Sequence, residues 1–423
     1  MVKKELFEKI KELLIENMET GGGKTKPAFH FTKPSPGTYP YQFFWDTCFH
    51  VFIFCALEEN EMAKSHIRSL FALQREDGFV GHMIYWNRLK PGRWPDFFQS
   101  LPTYKNLYKS HMSALIQPPL VAMAIERLIQ VSADIHFLRE ILPCVKKYYQ
   151  WLADNRDFDG DNLLSIISPF ESGMDWKPSY DEVLKFNDGK ANKKLFWKVI
   201  WVDVRNFLNN YNLKKIRKQN YFQVKDVGFN SIYAQNLRSM SRLCKMLGDP
   251  GAKGFNTLAQ KVEESILKLM YNEEDAAFYD CYGKDNKQLK VITPTIFYPL
   301  GLDGVPQNIV EKVMEIHLFK GEEFQTPYPI PSVAKNEPAF NPTESIYIWR
   351  GPTWIVNNWF LYNFFIDNNY RREASQLARC IEGLIEKSGF REYYNPFTGE
   401  GYGAKDFTWA GLLLDMLGKE EDK

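Results

Sequence analysis

The chain consists mainly of helical segments that come in pairs, and this pairing constrains its fold more than any other feature. Apolar residues recur at helical spacing from residues 3–18 up to a last helix that Asp406–Trp409 opens. Roughly twelve helices are predicted in this way. Turns within a pair are short, whereas the loops on the other side are long and aromatic. Helical hairpins placed side by side around a ring would gather those loops at one end. An all-α ring is therefore predicted, with function carried by its long loops.

The periodicity also predicts approximate boundaries for the helices. They span residues 3–18, a stretch ending near Leu57, 61–74, 112–130, 135–153, 228–247, 251–271, 307–318, a stretch ending near Ile366, and 371–387. Residues 293–302 are rich in turn formers. Residues 185–220 are rich in lysine and asparagine, interleaved with Phe196, Trp197, Trp201 and Phe207. We interpret this segment as a helical excursion or lid, and a solvated face is the alternative.

Length and composition indicate an ordinary globular protein. Its 423 residues are consistent with a single barrel domain spanning residues 1–423, because closed barrels reach this size as one unit. Hydrophobic residues make up 44% of the chain and charged residues 25%, whereas the aromatic share of 15% is high. Such an excess fits either ring stacking on a flat, amphipathic ligand or a large aromatic core. The net charge of +1, without a long basic tract, argues against a nucleic-acid partner.

The compartment is predicted from cysteine usage and from apolar runs. Six cysteines are scattered without close pairs, so neither a disulfide framework nor a metal site is expected. The first residues are charged and amphipathic and lack a signal peptide's apolar core. No apolar run reaches about 18 residues, so no membrane span is expected. The prediction is a cytoplasmic protein without a membrane partner, and self-association stays open.

Two acids stand out because each lies among aromatic residues in a loop. Asp175 belongs to the stretch Pro169-Phe-Glu-Ser-Gly-Met-Asp175-Trp-Lys-Pro178. Glu392 belongs to the stretch Phe390-Arg-Glu392-Tyr-Tyr-Asn-Pro-Phe-Thr-Gly399. Apolar surroundings disfavour an ionised carboxyl and raise its pKa, which is what a general acid needs near neutral pH. The alternative for Asp175 is a plain helix cap.

Further candidates lie in other aromatic loops. Asp46 follows Phe44-Trp45, with a helix N-cap as the equally plausible structural role. A lone histidine such as His82 is more often structural than catalytic. Gln117 is expected on a turn before Pro118. The complete set of predicted substrate-binding residues is Tyr39, Trp45, Asp46, His82, Tyr85, Gln117, Phe170, Trp349, Arg350 and Gly351.

Two carboxylates in aromatic walls, without a metal cluster or a nucleophile paired with histidine, suit glycoside hydrolysis. One acid protonates the leaving oxygen while the other activates water or attacks the sugar directly. Trp and Tyr rings stack on the sugar, and polar groups such as Asp46, Gln117 and Arg350 bind its hydroxyls. The separation of the two carboxylates decides between inversion and retention, and the residues alone leave this open.

A set of motifs, in this order, resembles glycoside hydrolase family 63. They are Phe44-Trp45-Asp46, Gln117-Pro118-Pro119, Glu171-Ser-Gly-Met-Asp175, Trp349-Arg350-Gly351-Pro352-Thr353-Trp354 and Glu392-Tyr-Tyr-Asn-Pro-Phe-Thr-Gly399. The resemblance spans about residues 39 to 410, and the related trehalases share part of it. It implies an (α/α)6 barrel and an inverting mechanism without a cofactor. By the same resemblance Asp175 is the general acid and Glu392 the general base. Trp45, Asp46, Gln117, Trp349 and Arg350 would line the subsite of the departing sugar.

In length, and in the segment Phe79-Val-Gly-His82-Met, the chain is most similar to the short mannosylglycerate and glucosylglycerate hydrolase branch. That branch implies cleavage of α-linked mannose or glucose from glycerate. Two positions depart from it, because Phe170 stands where Trp is usual and Trp176 where Asn is usual. The first borders the aglycone, and Arg205 is a candidate for binding a glycerate carboxylate.

Three alternatives remain. The first is an α-glucosidase or trehalase-like hydrolase with a neutral aglycone, and the second is a non-catalytic carbohydrate-binding barrel whose site has decayed. The third is a six-hairpin sugar isomerase, which the seven scattered histidines disfavour because they include no obvious catalytic pair.

Overall fold

The computed structural model describes residues 3–24, 26–87, 89, 93–103 and 109–421. Helices account for most of the described chain. Their bounds are α1 Lys3–Glu16, α2 Phe44–Ala56, α3 Asn60–Phe71, α4 Trp94–Phe98, α5 Val121–Ser132, α6 Ile135–Arg156, α7 Lys193–Leu208, α8 Leu213–Gln219, α9 Val227–Met246, α10 Gly251–Ser265, α11 Gln307–Val313, α12 Ile355–Asp367, α13 Arg371–Ser388 and α14 Leu412–Glu421.

Six helical elements form a closed inner ring. They are α2, α5, α9, the 3-10 helix Pro294–Gly301, α12 and α14, each of which packs against the next, and α14 packs against α2. Helices α3, α6, α10 and α13 cover the ring from outside, each against the inner helix that precedes it in the chain. The first helix, α1, packs against the turn that leads into α14. The ring predicted from helical pairing is confirmed as an (α/α)6 barrel.

The hydrophobic patterns of inner and outer helices explain their places. Inner helix α2 is buried on all sides, because it packs against neighbours in the ring and against the outer layer. Outer helix α13 buries one stripe at helical spacing and exposes the rest to solvent. The residues of that stripe are Ala374, Leu377, Ala378, Ile381, Leu384 and Ile385. A continuous hydrophobic core results, with members from Leu6 to Met416.

Besides the helices, the barrel carries small antiparallel sheets of two or three short strands. The strands are β1 Met18–Gly23, β2 Lys26–Thr32, β3 Gln42–Phe43, β4 Met83–Tyr85, β5 His111–Met112, β6 Val224–Lys225, β7 Tyr271–Asn272, β8 Ala277–Phe278, β9 Asp280–Tyr282, β10 Lys287–Leu289, β11 Arg391–Tyr394 and β12 Gly401–Lys405. They pair as β1–β2, β3–β4–β5, β10–β9–β6, β7–β8 and β11–β12.

Several predicted boundaries were wrong for local reasons. The helix predicted over 112–130 begins at Val121, because Pro118 and Pro119 precede it and residues 111–112 form a strand. The stretch around Glu392 is a β-hairpin rather than a loop. Residues 293–302, predicted as turns, contain the 3-10 helix that completes the inner ring.

The segment 185–220 contains two helices, α7 and α8, and α7 packs against α4. Its closure as a lid stays a prediction, as does the assignment of residues 1–423 to one domain. None of the described helices combines the length and the apolar character needed to cross a bilayer.

Candidate active site

One cavity opens at the end of the ring where the inner helices begin. Its volume is about 410 Å³, and much of its wall comes from residues at or before the starts of α2, α5, α12 and α14. Both predicted acids line this cavity although they are far apart in the chain. Nine of the twelve residues predicted for the site are among its lining: Tyr39, Trp45, Asp46, His82, Gln117, Phe170, Asp175, Trp349 and Glu392.

Glu392 is oriented on strand β11 by two hydrogen-bond donors. The Tyr39 hydroxyl donates to Oε1 at 2.6 Å, and the Ala404 backbone N–H donates to Oε2 at 2.8 Å. Burial raises the pKa of Glu392, and both hydrogen bonds oppose that rise because they stabilise the ionised form. Position 403 requires glycine, since its φ is +66° and a Cβ there would lie 2.5 Å from Glu392 Oε2. The arrangement favours a carboxylate that accepts a proton.

Asp175 is in a different environment and is partly exposed. It lies in the turn after the 3-10 helix Pro169–Ser172. Burial, and then the negative charge of Glu392, raise the pKa of Asp175 to about 8. Gly173 precedes it at φ +73°, where a Cβ would lie 2.6 Å from the Trp45 ring. The helix-cap alternative is not observed, because the following 3-10 helix has Lys177 at its N-cap without a side-chain cap bond.

A buried ion pair supports the loop that carries Asp175. Glu171 accepts from Arg156 Nη1 at 2.8 Å and from Arg156 Nη2 at 2.5 Å, and both side chains are fully buried. The same carboxylate accepts from the backbone N–H groups of Ile116 and Ile167. It therefore connects α6, the loop that carries Gln117 and the start of the Asp175 loop. Glu171 belongs to one of the sequence motifs, but the motif gives no sign of this role.

Stacked aromatic rings form part of the cavity wall. The ring centroids of Trp349 and Trp354 lie 3.5 Å apart at an interplanar angle of 12°, and Trp354 stacks on Tyr393 at 4.8 Å. Trp409 meets both tryptophans edge-on, and it donates its indole N–H to the Glu392 backbone carbonyl. Trp349 adopts a left-handed φ of +68°, a conformation that bulky residues rarely accept without support from their surroundings. Flat apolar faces of this kind suit the C–H surfaces of a sugar.

Polar groups also line the cavity. Asp46 belongs to the first turn of α2 rather than to its N-cap, which is Phe43. Burial raises the pKa of Asp46 to about 8, so the neutral form can both donate and accept a hydrogen bond near neutral pH. The Trp45 backbone N–H donates to Gln117 Oε1 at 3.1 Å. Burial lowers the pKa of His82 to about 3, so His82 is neutral, and it hydrogen-bonds the Ser113 hydroxyl.

Three predicted substrate-binding residues lie outside the cavity lining. Tyr85 is fully buried and packs edge-on against Tyr41. Arg350 forms a bidentate pair with Asp181, with its Nη2 2.5 Å from Asp181 Oδ1. Gly351, at φ +151°, lies so close to the Asn341 carbonyl that a Cβ would be 2.3 Å from its oxygen. These contacts stabilise the surrounding structure, and the role of the three residues in sugar binding stays a prediction.

The aglycone candidate Arg205 is exposed on α7 and stacks over Tyr221, and it is not among the residues that line the cavity. Among the described lining residues, Arg93 is instead the only cation. Its Nε lies 2.5 Å from Asp96 Oδ2, and its Nη1 donates to the Thr38 carbonyl. Arg93 was not among the predicted site residues. The only local signal was Pro95, which is typical of a helix start and marks the short helix that follows Arg93.

Other parts of the wall were also missed. Gln99 lines the cavity and donates to Asp203 on α7 at 3.1 Å. Phe196 and Ile200 of α7 reach the cavity as well, which joins the segment 185–220 to the site. Within the described residues, no group of three or more His, Cys, Asp and Glu could hold a metal ion.

A helical ring with two carboxyl groups and tryptophan faces around a sugar-sized cavity defines the class of protein as an (α/α)6-barrel glycoside hydrolase. Comparison with known proteins gives the family. The chain belongs to glycoside hydrolase family 63 through the family described as mannosylglycerate hydrolase MGH1-like glycoside hydrolase domain, whose model matches residues 39–410.

Similar proteins of known activity cover nearly the whole chain. A mannosylglycerate hydrolase from Thermus thermophilus is 27% identical over 90% of this chain and 95% of its own length. A glucosylglycerate hydrolase from Mycolicibacterium hassiacum is 24% identical over 92% of this chain and 94% of its own. A crystal structure of a Thermus thermophilus family 63 mannosylglycerate hydrolase with Tris and D-glycerate superposes with a TM-score of 0.83, at 26% identity, over 98% of this chain and 100% of that one.

Proposed function

We propose that this glycoside hydrolase inverts the anomeric centre, with Asp175 as general acid and Glu392 as general base. The observation that carries the assignment is that two acids in one cavity have different surroundings, which favour the protonated form of one and the ionised form of the other. Asp175, with its pKa raised to about 8, keeps its proton near neutral pH. Glu392 receives hydrogen bonds on both oxygens, which favour its ionised form. Environments that separate two carboxyl groups in this way assign the acid and the base.

The proposed reaction follows from these states. Asp175 donates its proton to the glycosidic oxygen as the bond to the anomeric carbon breaks. Glu392 removes a proton from a water molecule, which forms the new bond on the opposite face of the sugar ring. The tryptophan faces of Trp349 and Trp409 exclude bulk water, and Asp46 and Gln117 bind hydroxyl groups of the departing sugar.

For the substrate we propose 2-O-α-mannosylglycerate or 2-O-α-glucosylglycerate. Two observations support a small, anionic aglycone. The similar hydrolases named above act on glycerate glycosides, and Arg93 provides a cation in the wall of the cavity that Phe170 and Trp176 also line. A planar guanidinium is suited to a carboxylate, and Arg93 would share itself between Asp96 and the substrate.

Proton NMR of the first product formed tests inversion directly. Hydrolysis of the α-glycoside should release the β anomer of the sugar before mutarotation equilibrates the two forms. Initial release of the α anomer would show retention and would remove Glu392 from the role of base.

A substrate panel tests the aglycone. Mannosylglycerate, glucosylglycerate, trehalose and kojibiose should be compared by kcat/KM, and a glycerate glycoside should be preferred. In the Arg93→Gln variant the KM for the glycerate glycoside should rise by roughly ten-fold or more, the loss expected for one charge-assisted pair, with no comparable change for trehalose. Preference for trehalose or kojibiose in the wild type would instead support the trehalase-like alternative with a neutral aglycone.

We also propose a cytoplasmic location. Its support is that all six cysteines are free thiols, as is usual in a reducing compartment. A lid role for the segment 185–220 is a further proposal, supported by the contribution of α7 to the cavity wall.

A further inference from the structure

Helix α7 is apolar on two opposite faces, which an ordinary surface helix is not. Its inner face is buried against the barrel. Its outer face presents Trp197, Trp201 and Leu208, whose exposed fractions are 60%, 53% and 70%. Trp94 of α4, 46% exposed, stacks against Trp197 with ring centroids 6.2 Å apart. We use the term tryptophan–lysine face for these four residues together with the exposed lysines of α8, the helix that follows α7 in the chain.

The same segment concentrates positive charge. Residues 185–220 contain eight lysines and two arginines against two aspartates, a net charge of +8 in a chain whose total is +1. One of the two aspartates, Asp203, is buried and does not offset charge at the surface. On α8, Lys214, Lys215 and Lys218 are all exposed. The rest of the chain therefore has a net charge of −7, so the segment 185–220 differs from it sharply in charge.

The combination restricts what this face can bind. A two-fold contact between copies of the chain through this face would bring two segments of net charge +8 close together, and that repulsion opposes an isologous dimer. An anionic bilayer satisfies both features at once, because indole rings settle at the level of lipid headgroups and lysines are attracted to anionic lipids. We propose that the tryptophan–lysine face docks the protein on an anionic membrane surface.

This docking requires no spanning helix, so it is compatible with the helices described above. It departs from the expectation of no membrane partner, which rested on apolar runs alone. Those runs report spanning segments, whereas surface binding depends on which side chains the fold leaves exposed. Because Phe196 and Ile200 of α7 line the cavity, docking through the outer face of α7 would bring this part of the cavity wall next to the bilayer. The inference does not depend on the identity of the substrate.

Co-sedimentation with extruded vesicles tests the proposal. The full chain should sediment with vesicles of phosphatidylglycerol and phosphatidylcholine at low salt, and stay in solution with phosphatidylcholine alone or at 0.5 M NaCl. The triple variant Lys214→Gln, Lys215→Gln, Lys218→Gln should bind on the order of 10²-fold more weakly, at about five-fold per lysine. Trp201→Ser should weaken binding at unchanged charge.

A matched control removes the same charge elsewhere. Lys253, Lys261 and Lys268 are exposed in the α10 region, and their triple glutamine variant should sediment like the wild type. Hydrolysis of a soluble substrate should be unchanged in both triple variants, which separates this proposal from the catalytic one. No sedimentation with anionic vesicles, or equal losses in both triple variants, would overturn it. So would a dimer in solution that Trp201→Ser dissociates, or binding of a single-stranded oligonucleotide instead of vesicles through the α8 lysines.

Discussion

Asp175 and Glu392 are both carboxylic acids in apolar surroundings, and their contacts separate their chemistry. Glu392 receives the Tyr39 hydroxyl and the Ala404 N–H, whereas the surroundings of Asp175 are dominated by burial and by the charge of Glu392. The pKa values of the two acids are therefore linked, because ionisation of Glu392 makes ionisation of Asp175 less favourable. Two predictions follow at the scale of single residues.

Replacement Asp175→Asn should lower kcat on the order of 10²–10⁴-fold for a glycoside with a poor leaving group, because proton donation is lost. An α-glycosyl fluoride needs no such proton, so its hydrolysis should be much less affected. Glu392→Gln provides the comparison, since loss of the base should impair both substrates alike. Steady-state kinetics on the two substrates checks this. Near-normal turnover of Asp175→Asn on the poor leaving group would exclude Asp175 as the acid.

The pH dependence of kcat/KM should be bell-shaped. Asp175 must be protonated, so activity should be lost as the pH rises through about 8. Glu392 must be ionised, so activity should also be lost as the pH falls through its pKa, which burial raises above the ordinary value of 4.5. With the fluoride substrate, which needs no proton from Asp175, both the wild type and Asp175→Asn should lack the alkaline limb. An alkaline limb that persists in this variant would assign it to Asp46, whose pKa is also about 8.

At the scale of elements, the site depends on connections between loops rather than on any single helix. Glu171 holds the Gln117 loop and the Asp175 loop to α6, and the β11–β12 hairpin presents Glu392. The loops lie at the ends of inner helices, and the packed helices hold the loops in place. Loss of one such link should affect stability and catalysis together.

Glu171→Gln should destabilise the protein by about 3 kcal/mol, because it leaves the Arg156 charge buried without a counter-charge. The matched control is Glu140→Gln, which breaks an exposed bidentate pair with Arg68, and its effect should be below about 1 kcal/mol. Urea denaturation followed by circular dichroism measures both. Equal effects of the two variants would contradict a special role for the buried pair.

At the scale of the whole molecule, the two ends of the chain complete the barrel. Helix α14 closes the inner ring between α12 and α2, and α1 packs against the turn before it. The closing helix contributes fully buried residues such as Leu412, Leu413 and Met416 to the common core. A defect there should weaken the entire ring, because every inner helix has two ring neighbours.

Leu413→Ala should lower the free energy of unfolding by about 2–5 kcal/mol, the usual cost of a cavity in a packed core. Leu208→Ala, at a position 70% exposed, should change it by less than about 0.5 kcal/mol. In urea, catalytic activity and helical signal should be lost over the same range in Leu413→Ala. Loss of activity well before the helical signal would show that the closing helix acts on the site alone.

The sequence by itself determined the helical pairs, the long aromatic loops and the two acids. Helical periodicity is local, because a 3.6-residue repeat needs only neighbours in the chain, and the family motifs surround Asp175 and Glu392 directly. The ring itself followed from pairing, although its fourth inner element, the 3-10 helix Pro294–Gly301, was predicted as turns.

Only the tertiary structure decided which side chains reach the cavity. Arg350 pairs with the partly buried Asp181, and Tyr85 packs edge-on against Tyr41, whereas Arg93 lies in the cavity wall. A motif records which residue types occur together, but the direction of a side chain depends on contacts with residues far away in the chain. The pKa values of Asp175 and Glu392 also depend on residues far away in the chain. Burial of the two acids and the charge of Glu392 near Asp175 arise only when the ring closes.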